Sequence, residues 1–261
     1  MLDFSILLVN TNRSKAYLQN LIKRGFLPKS AIVLQDNNYV LPEQKGIDSI
    51  YKDTKQTLER KVKSIDISFD EKEHVITTLK NNNIEYCIAN TLDVNSEEVI
   101  NYVRECPSNY IIYSGPGGAI LKKEILEQDK KFIHVHPGWL PDFKGSTTIY
   151  YSMLIENSIA CSVILLDENI DSGPILYRKR FEVPKDIQID FDVVLDPIVR
   201  ASTLIDFMQN QTDEMMLREE SFNNEGNVFY IVHPVLKHMA ILSQRAKEKK
   251  GNIKYGKGKE L

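Results

Sequence analysis

The chain has 261 residues, of which 42% are hydrophobic and 26% charged, enough for one large α/β domain with an appendage or for two small domains. Its net charge of −3 supplies no basic surface for a nucleic-acid backbone, and the basic run at residues 245–259 reads as a solvated tail. Three cysteines (Cys87, Cys106 and Cys161) without a CxxC pair exclude a disulfide framework and fit a reducing cytoplasm, and no apolar run is long enough to span a bilayer.

The opening residues Met1-Leu2-Asp3-Phe4 lack the basic and apolar regions of a signal peptide. Residues 4–9 are an apolar run of the kind a buried parallel strand requires. A polar turn follows, then an amphipathic helix with Ala16, Leu18, Leu21 and Ile22 on its buried side and Gly25 as its stop. Residues 31–34 form a second strand. This strand–loop–helix–strand opening predicts a doubly wound, mostly parallel α/β sheet. Further helices are expected at 54–62, 71–80, 122–127 and 148–156, and further strands at 85–89, 110–113, 132–136, 161–166 and 175–180. Asn95 or Ser96 caps a helix that runs to Arg104. Asp196-Pro197 opens a helix to about residue 209, with proline at a favoured early position. From residue 212 the pattern changes to a mixed strand and helix appendage.

Three segments carry chemistry. His134 and His136 lie two apart in a strand, so both rings leave on one face at its carboxyl end, where open α/β sheets place their sites. A turn-rich segment, Leu140-Pro141-Asp142-Phe143-Lys144-Gly145, follows. Asp171-Ser172-Gly173-Pro174 then sits in a carboxylate-rich loop between two strands. Taken singly, Asp171 reads equally as an Asx-turn residue and Gly117-Gly118 as a simple turn.

In their order and spacing the three segments resemble the signature of the folate-dependent formyltransferases, which act on glycinamide ribonucleotide, methionyl-tRNA and sugar nucleotides. That signature is Asn-x-His-Pro, then Ser-Leu-Leu-Pro with an aromatic residue, a basic residue and glycine, and later Asp-x-Gly before an apolar strand. The resemblance covers about the first two hundred residues. It implies a Rossmann-like catalytic domain at 1–210, with 211–261 as a C-terminal α+β appendage and basic tail. It implies 10-formyltetrahydrofolate as formyl donor, His136 as the catalytic histidine and Asp171 as its carboxylate partner. Formyl transfer to an amine develops an oxyanion, and a donor aimed at that oxygen stabilises it by ~3 kcal/mol. His134 stands where the family has asparagine and is read as a replacement oxyanion donor or substrate contact. Gly138-Trp139 replaces Ser-Leu, and Ile164 stands where many members have histidine.

The resemblance also places the folate against Gly117, Gly118, Ala119, Ile120, Leu121 and Asp167. Asn10, Asn12, Arg13 and Ser14, at the first strand–helix turn, suit an anionic part of the acceptor. Trp139 and Lys144 are further candidate substrate contacts. His233 and His238 are assigned to the appendage, as structural residues or as part of an acceptor pocket. The appendage is too short for the C-terminal domain of the methionyl-tRNA enzymes. The expected acceptor is therefore a small primary amine, foremost an amino-deoxysugar nucleotide for surface glycan synthesis, and a homodimer is compatible with this reading. Two rivals stand beside it: a metal-dependent hydrolase built on the His-x-His pair, and a family member reduced to binding. A hydrolase needs further ligands, and only His74, His233 and His238 remain, so no metal ligand is assigned.

Overall fold

The elements of the computed structural model alternate as the opening pattern requires, over the residues it describes: 2–36, 59–62, 64–183, 189–210 and 226–251. The first half comprises β1 (Phe4–Leu8), α1 (Asn12–Lys23), β2 (Ser30–Leu34), β3 (Glu59–Val62), β4 (Ile65–Asp70), α2 (Val75–Asn81), β5 (Glu85–Ala89) and α3 (Glu97–Glu105). Then come β6 (Tyr110–Ser114), α4 (Lys123–Leu126), β7 (Lys131–His136), β8 (Phe143–Gly145), α5 (Thr148–Ile155), β9 (Ser158–Leu165) and β10 (Ile175–Glu182). A π-helical turn (Phe191–Leu195) leads into α6 (Asp196–Asn210), and β11 (Asn227–Phe229) and α7 (Pro234–Gly251) follow.

Seven strands form one sheet in the order β10-β9-β7-β6-β1-β2-β5. β1 pairs in parallel with β2 and β6, β2 with β5, and β6 with β7; β9 runs antiparallel to both β7 and β10. The chain starts mid-sheet and winds first to one side, then to the other. The carboxyl ends of β1 and β6 therefore flank the switch point, where such sheets hold ligands. Strand alternation divides β1 between two cores. Phe4, Ile6 and Leu8 pack with α1 and α6, whereas Leu7 and Val9 pack with α3 and α4. Burial on both faces explains the unbroken apolar runs, at roughly 1.5–3 kcal/mol per large side chain.

Helix ends follow from local chemistry. Thr11 caps α1 by accepting from the Ser14 N–H. At the other end the Phe26 and Gly25 N–H groups donate to Leu21 and Ile22 carbonyls, with Gly25 at φ 79. That is a Schellman stop, in which glycine adopts the left-handed conformation without steric cost. Ser96 rather than Asn95 caps α3.

Three expectations require correction. The helix predicted at 54–62 is contradicted at 59–62, which is β3, paired antiparallel with β4; residues 54–58 lie outside the described residues. Charged residues favour a helix by propensity, but pairing with β4 and burial of Val62 fix the extended form. The helix predicted at 71–80 begins only at Val75, capped by His74, because the buried Glu71 is held by Asn12 and Arg60. The turn-rich 140–145 segment contains β8, which pairs in parallel with β11. The region after residue 225 is thus joined to the 143–145 segment by strand pairing, and α7 packs against α5. Residues 211–225, where the appendage was expected to begin, lie outside the described residues. No helix among the described residues is long and apolar enough to cross a membrane.

Candidate active site

β7 delivers the two histidines. Ile133 and Val135 pack into the α1/α6 core, and Phe132 into the opposite core. His134 and His136 share the parity of Phe132 and leave the sheet on its side, in register with Ile164 and Ser162 of β9. Pro137 ends the strand, and its carbonyl accepts from Thr148 Oγ1 at 2.6 Å.

Asp171 reaches this strand end from the loop between β9 and β10, with φ 49, a left-handed conformation that aspartate tolerates better than most residues. Its Oδ1 lies 3.2 Å from His136 Nδ1, and its Oδ2 accepts from the Gly145 N–H at 2.8 Å. Burial pushes its pKa up. The charge and hydrogen bond of His136 and the Gly145 N–H outweigh that and hold the carboxyl at about 2. The other ring nitrogen, His136 Nε2, lies 2.7 Å from the Phe143 carbonyl oxygen and 3.4 Å from Thr148 Oγ1. A carboxylate at one nitrogen and a carbonyl at the other fix the orientation of the ring. The ring is 2% exposed.

The Gly138 departure has a steric reason. A Cβ there would lie 2.8 Å from His136 Nε2 and 2.6 Å from the Phe143 oxygen. The adjacent Trp139 ring lies under the Arg178 and Arg180 guanidiniums, at 4.8 and 4.2 Å from its centroid, so cation–π contacts account for its position.

His134 differs in character. Burial, followed by the charges of Arg200 and Arg13, lowers its pKa to about 3, so the ring is neutral at ordinary pH. Its Nδ1 is buried with no hydrogen-bond partner among the described residues, and its ring lies 6.0 Å from that of Tyr113.

The residues assigned to an anionic acceptor group cross-link the fold. The Asn12 amide donates to Glu71 and to the Val193 carbonyl, and Asn10 accepts from the Val75 N–H. Arg13 donates to Ser114 Oγ and the Gly115 carbonyl, while Ser14 Oγ bonds Ser114. Lys144 is buried on β8. Among the residues assigned to the folate, Leu121 is buried in the core, whereas Ile120 is exposed. Gly117 and Gly118 have open space where a side chain would stand, and Asp167 Oδ1 accepts from the Asn169 N–H in its own loop.

Sequence reasoning missed several positioning residues. Asn95, weighed as a cap, instead grips the Ile120 carbonyl and the Lys122 N–H, which fixes the 120–122 segment. The Phe143 carbonyl and Thr148 hold His136, and Gly145 holds Asp171. Phe143 and Gly145 had a signal as the aromatic residue and the glycine of the second segment, and Asn95 only as a cap. The remaining histidines serve elsewhere: His74 caps α2, His233 accepts from the Val235 N–H, and His238 borders a cleft of about 560 Å³ between α5 and α7.

Gly145 has φ 97, and a Cβ on it would stand 2.1 Å from the Phe229 carbonyl oxygen. Gly145→Ala is therefore expected to lower stability by about 2 kcal/mol or more, from left-handed strain and the β8/β11 clash. It should also loosen the Asp171 contact. Urea denaturation of the variant checks this, and wild-type stability would contradict it.

The sheet and its strand order agree with what comparison with known proteins finds. A family model for formyl transferases matches residues 52–190, and the chain belongs to that family. A methionyl-tRNA formyltransferase of Finegoldia magna is 25% identical over 146 residues, 54% of this chain and 46% of that protein. The chain spans less than half the length of the curated relatives it matches first. A sugar N-formyltransferase structure from a Shewanella species superposes with a TM-score of 0.52 at 14% identity, over 94% of this chain and 88% of that one. A phosphoribosylglycinamide formyltransferase structure from Bacillus halodurans gives 0.50 at 14% identity, over 81% and 98%. At such identities the structures establish a common fold.

Proposed function

We propose that this protein transfers a formyl group from 10-formyltetrahydrofolate to the primary amine of an amino-deoxysugar nucleotide. The observation that carries the transfer is the buried His136–Asp171 pair, 3.2 Å apart at the end of β7, in a chain of the formyl transferase family. The folate supplies an activated formyl group; attack by an amine places negative charge on its oxygen, the amine's proton passes to a water ordered by the Asp171 carboxylate, and tetrahydrofolate leaves as the new C–N bond forms. Asp171 remains a carboxylate at any ordinary pH and orients the His136 ring through Nδ1, 3.2 Å away, at the strand end where that oxygen is to be stabilised. His134, neutral and with no partner at Nδ1 among the described residues, takes the place of the family asparagine as a donor. Ile120, Gly117 and Gly118 would receive the pterin.

A sugar nucleotide is supported by the sugar N-formyltransferase fold, which is matched over 94% of this chain, and by a net charge of −3 that suits tRNA poorly. Methionyl-tRNA is the second reading, because the matched curated relatives carry that name. An acceptor panel separates them. Formylation of 3-amino- or 4-amino-deoxysugar nucleotides is expected. Failure on all of these, with activity on methionyl-tRNA or glycinamide ribonucleotide, would refute the sugar assignment. We assign residues 1–210 as the catalytic unit, with the C-terminal segment shaping the acceptor side.

A further inference from the structure

His134 replaces the family asparagine with an imidazole, and this gives the site three metal-type donors. Ligand atoms of His134, His136 and Asp171 all lie within 4.8 Å of one another. We propose that these residues bind a divalent transition-metal ion of the zinc class, and that the bound ion stops formyl transfer. Metal binding stands on these residues alone; inhibition rests on the formyl-transfer reading above.

The geometry already resembles a ligand set. His136 Nδ1 and Asp171 Oδ1 are 3.2 Å apart, close to the roughly 3.4 Å between two ligands each about 2.1 Å from a tetrahedral zinc ion. The atoms facing away from that point have the outer partners that metal ligands need. His136 Nε2–H donates to the Phe143 carbonyl, and Asp171 Oδ2 accepts from the Gly145 N–H. His134 is the donor left over, with Nδ1 buried and unpartnered among the described residues.

Two imidazoles and one carboxylate select zinc, cobalt(II) or iron(II) over magnesium or calcium, which prefer oxygen. Three protein ligands leave a position open to water. The ion replaces the proton on His136 Nδ1, which leaves to solvent. The ion then occupies the His136–Asp171 pair on which transfer rests, so transfer stops while it is bound.

The test uses the full chain, stripped of metal with a chelator and titrated with Co²⁺. One Co²⁺ per chain with visible ligand-field absorption is expected. His134→Asn and, independently, Asp171→Asn should each weaken binding by at least ~100-fold. Zn²⁺ should raise the Tm of the wild type and not of either variant. Absence of stoichiometric binding to the folded wild type overturns the site, as does binding unchanged in both variants. Transfer by the metal-free wild type should fall on adding Zn²⁺ and return with chelator; undiminished transfer at saturating Zn²⁺ overturns the inhibition. If the metal-free enzyme transfers no formyl group, the reaction assignment fails while the cobalt titration still decides the site.

Discussion

His136→Ala is expected to lower kcat/KM for formyl transfer by about three orders of magnitude, in the range of a positioned acid–base group. His136 is 2% exposed, with Asp171 at one nitrogen and the Phe143 carbonyl at the other. His134, the neighbouring imidazole, is kept neutral by burial and by Arg200 and Arg13. Alanine also leaves two buried acceptors without a donor, which costs on the order of 2 kcal/mol of stability. Steady-state kinetics and urea denaturation measure the two effects separately. A variant within about tenfold of wild type in kcat/KM would remove His136 from the reaction.

Asp171→Asn carries the second large effect and isolates charge from shape. Asparagine tolerates the left-handed φ of 49, and its amide oxygen can still accept from the Gly145 N–H. What disappears is the negative charge beside His136 Nδ1, and kcat should fall by about 100-fold. Stability should change in a pH-dependent way. The folded carboxyl is held at about 2, below the unfolded value of about 3.9. Its contribution is therefore present above about pH 4 and lost as pH falls through about 2. The wild type should exceed the variant by on the order of 2 kcal/mol at neutral pH and converge with it in acid. Denaturant titrations at neutral pH and near pH 2.5 test this. A stability gap independent of pH would mean that the pair is not an ionic contact.

What the sequence disclosed depended on which signal each feature carries. β1 and β6 were legible because strands buried on both faces are predominantly apolar runs. β3 was misread because Glu59, Arg60 and Lys61 are as common on helix surfaces, and only pairing with β4 makes them extended. β8 was hidden because three residues have no periodicity, and its partner β11 lies far along the chain. In the site, His134 and His136 could be placed on one face from their spacing alone. The contact of Asp171 with His136 could not, since nothing local links the β9–β10 loop to the end of β7; it came from the resemblance. Asn12, Arg13 and Ser14 look like ligand-facing residues in sequence, whereas the structure binds them to Glu71 and Ser114. Gly138 looked like a plain departure from serine, and becomes intelligible once His136 Nε2 is seen to occupy the space of its missing side chain.

The central claim is that this site moves a formyl group from folate to an amine. The direct measurement is a single-turnover reaction with 10-formyltetrahydrofolate carrying ¹³C in the formyl group, metal-free wild-type protein and an amino-deoxysugar nucleotide. The predicted result is ¹³C-formyl on the sugar amine with stoichiometric release of tetrahydrofolate. Label that stays on the folate with every amine tried, while the folded protein is saturated with donor, would contradict the account.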